Sequence, residues 1–148
     1  SEQLGFDIFN NEQGDCFHCH GLATTGYQLG AHGLLQFTNN GLDSIYVVGA
    51  GREAVTGDPS DRGKFKVPSL RNVEYSYPYM HDGRFQTLAE VLDFYEMGGH
   101  PSPTLDPNMK AVGVGRNWSI AQKQGLLDFL KTFSDPAFLT DTSFTDPW

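Results

Sequence analysis

Residues 16 to 20 read Cys16-Phe17-His18-Cys19-His20, and the 148-residue chain has 2 cysteines in all. C-x-x-C-H is the attachment signature of c-type haem. Two thiols on one helical turn can each form a thioether to a vinyl group, and the adjacent His20 then turns its imidazole toward the iron. Two competing readings lack support. A thioredoxin-type dithiol stands at the end of a strand in a βαβ pattern, which is absent here. A structural zinc site takes about four ligands, and His32, His81 and His100 are scattered without ligand spacing. His18 fills a variable position and reads as a solvent-facing bystander. The motif therefore predicts one covalent haem c on Cys16 and Cys19 with His20 as the proximal iron ligand. Such attachment takes place outside the cytoplasmic membrane, so a periplasmic or otherwise exported protein is expected.

Before the motif, Leu4, Phe6, Ile8 and Phe9 alternate with polar residues, which predicts an amphipathic helix over 3–13 ending at Gly14. After it, the stretch from Gly21 to Lys66 is rich in Gly, Asn, Asp and Thr without a sustained period, and reads as a long ordered loop. Pro68 to Val73 suggests a short helix with proline in its first turn. Two later helices carry full punctuation. Thr87 and Glu90 form a capping box, Leu88, Val91, Leu92 and Tyr95 repeat at helical spacing, and Gly98-Gly99 stop the run. Ser119 and Gln122 form a second box before the stripe Leu126, Leu127, Leu130 and Phe133. The segment from Asp135 to Trp148 reads as a surface strap or extension.

Length fits one domain with a proper core. Apolar residues make up 39 % and charged residues only 19 %, with 17 glycines and 8 prolines, so irregular connections carry much of the chain. A formal charge of −8 argues against nucleic acid and anionic membrane as partners, which reward clustered Lys and Arg, and favours a basic protein or a small molecule. No run approaches the roughly 18 apolar residues that span a bilayer, and no signal-peptide pattern opens the sequence, so a soluble, processed or truncated chain is expected.

The run Gly63-Lys64-Phe65-Lys66-Val67-Pro68-Ser69-Leu70-Arg71-Asn72-Val73, then Pro78-Tyr79-Met80-His81-Asp82-Gly83-Arg84-Phe85, then Thr87-Leu88-Ala89-Glu90-Val91-Leu92 goes beyond a bare haem motif. With the opening Gly5-Phe6-Asp7-Ile8-Phe9 and the C-x-x-C-H, it resembles the C-terminal haem domain of bacterial di-haem cytochrome c peroxidases and MauG-like enzymes over most of residues 3–134. The resemblance implies an all-α, cytochrome c-like fold: short helices and long loops wrapped around one haem, in a single domain over 1–148 with 135–148 as a C-terminal extension. It implies an electron-transfer role between a small redox donor protein and a second haem domain, or a separate haem protein chain. Hydrogen peroxide would react only at that second haem. It also implies that Arg71 contacts a haem propionate and that His81 lies near the haem edge or the interface. A calcium ion held partly by the carbonyls of Ser76 and Pro78 would lie between the two domains.

The sixth iron ligand stays open at this level. Tyr95 lies on the inward stripe of its helix and matches the family's ligand position, which holds Met in the peroxidases and Tyr in MauG-like enzymes. Met97, two residues on, turns away by about 200°, and Met80 is a third candidate beside an open or water-bound iron. A phenolate favours ferric iron, whereas a thioether raises the potential. Two other readings remain: a free-standing mono-haem electron carrier using Met97 or Met80, and a haem module assembled into a larger respiratory complex. Trp118 and Trp148 fit core and interface equally.

Overall fold

The computed structural model describes residues 1–21, 36–47 and 50–144. His32, Trp148 and part of the expected loop between Gly21 and Lys66 lie outside the described residues. The architecture is mostly helical: α1 (Glu2–Phe9), α2 (Phe17–His20), α3 (Glu53–Thr56), α4 (Leu88–Met97), α5 (Ile120–Lys131) and α6 (Pro136–Thr140). A small sheet joins them, in which β1 (Phe37–Thr38) runs antiparallel to β2 (Phe65–Lys66), with Phe37 opposite Lys66 and Thr38 opposite Phe65. No helix among the described residues is long and apolar enough to cross a membrane.

The core forms where α1 meets α5. Ile8, Phe9, Leu126, Phe129 and Leu130 are buried there with Leu88, Leu92 and Trp118. The Phe129 ring takes edge contacts from Phe6 at 5.5 Å, Phe9 at 5.3 Å and Phe133 at 5.0 Å between centroids, a geometry the aromatic quadrupole favours. The two helices touch backbone to backbone: a β-carbon on Gly5 would lie 2.0 Å from the Gly125 carbonyl oxygen.

Both capping boxes form. Thr87 Oγ1 accepts from Glu90 N at 3.2 Å while Glu90 Oε2 accepts from Thr87 N at 2.8 Å. Ser119 and Gln122 repeat the exchange at 3.3 and 2.8 Å at the start of α5. Gly98 closes α4 at φ +94°, and its N–H donates to the Phe94 and Tyr95 carbonyls. Two boundaries differ from the expected ones. The first helix stops at Phe9, because the Asn10 side chain donates to the Phe6 carbonyl at 2.9 Å and an Asx turn at Asn11 follows. No helix forms over 68–73. Ser69 Oγ accepts from Arg71 N at 3.2 Å, Asn72 takes a left-handed φ of +55°, and a 3-10 turn follows at Val73–Tyr75. Asn72 instead anchors the last segment, accepting from Asp135 N at 2.6 Å. Asp135 in turn caps α6, and the Phe138 and Phe144 rings meet at a tilt with centroids 4.9 Å apart.

The turn between α1 and α2 is fastened to the segment that precedes α5. Trp118 Nε1 donates to the Gln13 carbonyl at 3.0 Å. Asp15, whose side chain is 1 % exposed, faces His18 Nε2 at 3.1 Å, Lys110 Nζ at 3.5 Å and an Arg116 nitrogen at 3.7 Å. Glu12 shares the load, accepting from Lys110 Nζ at 2.6 Å. This one carboxylate therefore ties residues 110–116 to the haem motif.

Two outcomes follow for urea unfolding of the haem-loaded protein. Gly5→Ala lowers stability by about 2 kcal/mol, because overpacking outweighs the gain of under about 1 kcal/mol that alanine brings to a helix interior; an unchanged midpoint would show that α1 can move off α5. Asp15→Asn keeps the shape and tolerates the φ of +61°, but leaves the buried Arg116 guanidinium without its anion. Its expected loss is about 3 kcal/mol, and a loss below about 0.5 kcal/mol would assign Arg116 a different counter-charge.

Candidate haem site

Residues 16 to 20 form a single helical turn: Cys19 N and His20 N both donate to the Cys16 carbonyl, at 3.2 and 2.9 Å, and Gly21 N donates to that of Phe17 at 3.0 Å. This turn is what sets both thiols and the imidazole side by side. Burial pushes the Cys16 thiol up to about 12, against the pull of Arg116, and the Cys19 thiol up to about 11. Both are protonated at neutral pH. Burial pushes the His20 imidazole down to about 4, with the Pro68 backbone acting in the opposite direction. A neutral imidazole is the form in which histidine binds a metal, and the His20 Nδ1 is buried. Neutral thiols one turn apart next to a neutral, half-buried imidazole are the donor set that a haem c takes.

Tyr95, on α4, is half-buried and packs with Cys16 against the same core. Burial pushes its hydroxyl up to about 12, opposed by a hydrogen bond from Asn40, and both cysteine thiols act on it through space. Asn40 Nδ2 lies 3.1 Å from Tyr95 Oη and 3.8 Å from Met80 Sδ. Met80 holds a left-handed φ of +71°. Tyr95 and Met80 therefore share one amide donor.

The other named residues lie elsewhere. Met97 is 49 % exposed and lines an outer groove with Phe85, Phe94 and His100. Arg71 is exposed. His81 is also exposed and stacks on Phe65 with centroids 3.9 Å apart, with Tyr46 at 6.3 Å. Ser76 and Pro78 are exposed in the loop after the 3-10 turn. His18 is a partner of Glu12 and Asp15 and no bystander, and the three are the one described cluster with metal-ligating spacing. Lys110 already supplies a cation to both carboxylates. Trp118 is a core residue, 5 % exposed.

Sequence reading passed over Asn40, Asp15 and Arg116. Asn40 sits in Asn39-Asn40-Gly41, which reads as turn chemistry, and only the fold brings it to Tyr95. Asp15 and Arg116 are 101 positions apart in the sequence, so no local pattern links them.

No family model matches the chain. The cytochrome-c peroxidase IdrP1 of Pseudomonas sp. strain SCT is 32 % identical over 156 aligned residues, 90 % of this chain and 40 % of that protein. The methylamine utilization protein MauG of Methylorubrum extorquens is 33 % identical over 137, 92 % of this chain and 35 % of that protein. A solved structure of a MauG-like protein associated with microbial copper homeostasis superposes with a TM-score of 0.80 at 35 % identity, covering 99 % of this chain and 50 % of that one. The chain spans half or less of the length of each of these relatives. With about a third of its residues shared over nine-tenths of its length with peroxidase and MauG alike, the chain belongs to the family of bacterial di-haem cytochrome c peroxidases and MauG-like proteins.

Proposed function

We propose that this chain is the C-terminal, electron-transfer haem domain of a MauG-like oxidoreductase or di-haem peroxidase, wrapped around one haem c. Cys16 and Cys19 would hold that haem covalently, His20 would be its proximal ligand and Tyr95 its distal one. The observation that carries this reading is the half-buried Tyr95, which packs with Cys16 against the same core and whose hydroxyl is held by Asn40 at 3.1 Å. When bound, the haem supplies a one-electron iron couple. Cys16 and Cys19 supply neutral thiols in a dry setting, where addition to vinyl groups would fasten the ring. The half-buried His20 presents a neutral imidazole. Tyr95 brings an oxygen donor, and a phenolate favours ferric iron.

Electrons would pass between a small redox donor protein and a second haem, on another domain or chain, and hydrogen peroxide would react only there. The −8 charge suits a basic donor. Export to the periplasm follows from the chemistry of covalent attachment. Arg71 and His81 would act at the haem edge or the inter-domain surface, where their exposure leaves them accessible. A calcium ion between domains would use the carbonyls of Ser76 and Pro78 together with waters or groups from the second half.

A second reading draws on one specific feature. Met80 Sδ lies within 3.8 Å of the amide that holds Tyr95, so a free-standing mono-haem carrier with a His–Met pair is the competing assignment. Half-exposed Met97 suits neither reading.

A near-infrared magnetic circular dichroism spectrum of the ferric, haem-loaded protein separates the two. A phenolate signature without a thioether charge-transfer band is expected, and a thioether band would replace the MauG-like assignment with the carrier. The same sample alone is expected to reduce hydrogen peroxide no faster than a His–Met cytochrome c standard; rapid turnover would remove the requirement for a second haem.

A further inference from the structure

We propose that Asn40 is a positioning residue that determines which side chain the distal face offers to iron, holding Tyr95 in place and engaging the Met80 sulfur. This inference rests on Tyr95 being the distal ligand.

The geometry is specific. One amide nitrogen lies 3.1 Å from Tyr95 Oη and 3.8 Å from Met80 Sδ. A carboxamide NH2 carries two hydrogens and so can serve both neighbours. Its orientation follows from chemistry: a thioether can only accept, and so can a phenolate, so the NH2 end and not the carbonyl end must face them. The two acceptors are unequal. Sulfur is a weak acceptor, whereas a hydrogen bond to an anionic oxygen is about twice as strong as a neutral one. The same side chain therefore favours ligation by the tyrosine oxygen over ligation by the methionine sulfur.

Asn40 acts from a rigid base. Its neighbour Asn39 is 0 % exposed. Asn39 Nδ2 donates to Ser102 Oγ and Thr104 Oγ1, both at 2.9 Å, and Asn39 Oδ1 accepts from Gly41 N and the Tyr46 hydroxyl, both at 2.9 Å. His100 N donates to the Gly41 carbonyl at 2.7 Å. The Met80 loop is tied to this same segment, because Arg84 donates to Asp43 at 3.0 and 2.9 Å and to the Leu42 carbonyl at 3.2 Å. Met80 itself sits in the left-handed region, a conformation that persists only when its surroundings impose it. Asn40, Tyr95 and Met80 are thus held from three separate segments, and a side chain so supported keeps its aim.

The test is imidazole binding to the ferric, haem-loaded protein, where exogenous imidazole competes with the distal ligand. Leu and Asp match Asn closely in size, so lost packing affects both equally, while their electrostatics differ. Asn40→Leu removes the donor and is expected to tighten imidazole binding about tenfold. Asn40→Asp, which adds a negative charge beside the tyrosine oxygen, tightens it further. Equal affinity, within twofold, in Asn40→Leu, Asn40→Asp and the parent would overturn the proposal, and so would equal gains in the two variants, which signal packing alone. Tyr95→Phe is measured alongside. If it leaves the parent's ferric spectrum and imidazole affinity unchanged, the distal-ligand assignment itself fails. If it alters both while the Asn40 variants alter neither, only the role of Asn40 fails. Should Asn40→Leu not load haem, Asn40→Ser keeps a smaller donor and is expected to fall between the parent and Asn40→Asp; parity with the parent in both Ser and Asp variants would overturn the proposal equally.

Discussion

The carbonyl oxygen of Gly125 occupies the place where a β-carbon on Gly5 would stand, and the arrangement of the site descends from that contact. Because neither helix carries a side chain at the crossing, α1 approaches α5 closely enough for Phe129 to meet Phe6 and Phe9. That approach fixes the position of α1 against α5, and the short turn after it delivers Cys16 to the edge of the core. The Trp118 bond to Gln13 and the ion pairs of Asp15 fix the turn from the other side. A single glycine pair thus places the residues that would carry the haem without touching them.

The parts of the structure that were legible in the sequence are those whose cause is local. Both capping boxes were readable because a Thr or Ser and its Glu or Gln partner three residues later satisfy each other's backbone groups inside one turn. Cys16, Cys19 and His20 were readable because helix geometry alone aligns them. The stop at Gly98 was readable because a left-handed residue there needs no side chain. The misread elements have local causes too, but competing ones. Over 68–73 the proline suggests a helical first turn, while Ser69 offers the Arg71 N–H a side-chain alternative and Asn72 takes a left-handed φ. The early end of α1 has the same origin in Asn10 and Asn11.

What was not legible is the long-range polar chemistry. Asn40 and Tyr95 are 55 positions apart, and the text around Asn40 is the text of any turn. Asp15 belongs to no periodic pattern, whereas in the fold its side chain is 1 % exposed and faces His18, Lys110 and Arg116. A pattern search rewards apolar periodicity, and these residues have none. Their roles arise only once burial removes water and makes each remaining partner count.

Burial acts on the cysteine turn and on Tyr95 alike. The same desolvation keeps the thiols protonated, the His20 ring neutral and the Tyr95 hydroxyl hard to ionise. In the proposed site the thiols and the imidazole would be taken up in these neutral forms. A Tyr95 phenolate would be opposed by the same burial, because an anionic oxygen held away from water requires compensation. Arg116, buried near Cys16 and acting on Tyr95 through space, supplies positive charge at a distance, and Asn40 supplies a donor at hydrogen-bond range. A pocket that depressed its imidazole and raised its thiols without such a donor would favour the uncharged sulfur of Met80. Were Tyr95 and Met80 to compete for iron as proposed above, the one amide that faces both would bias the choice between an oxygen and a sulfur donor.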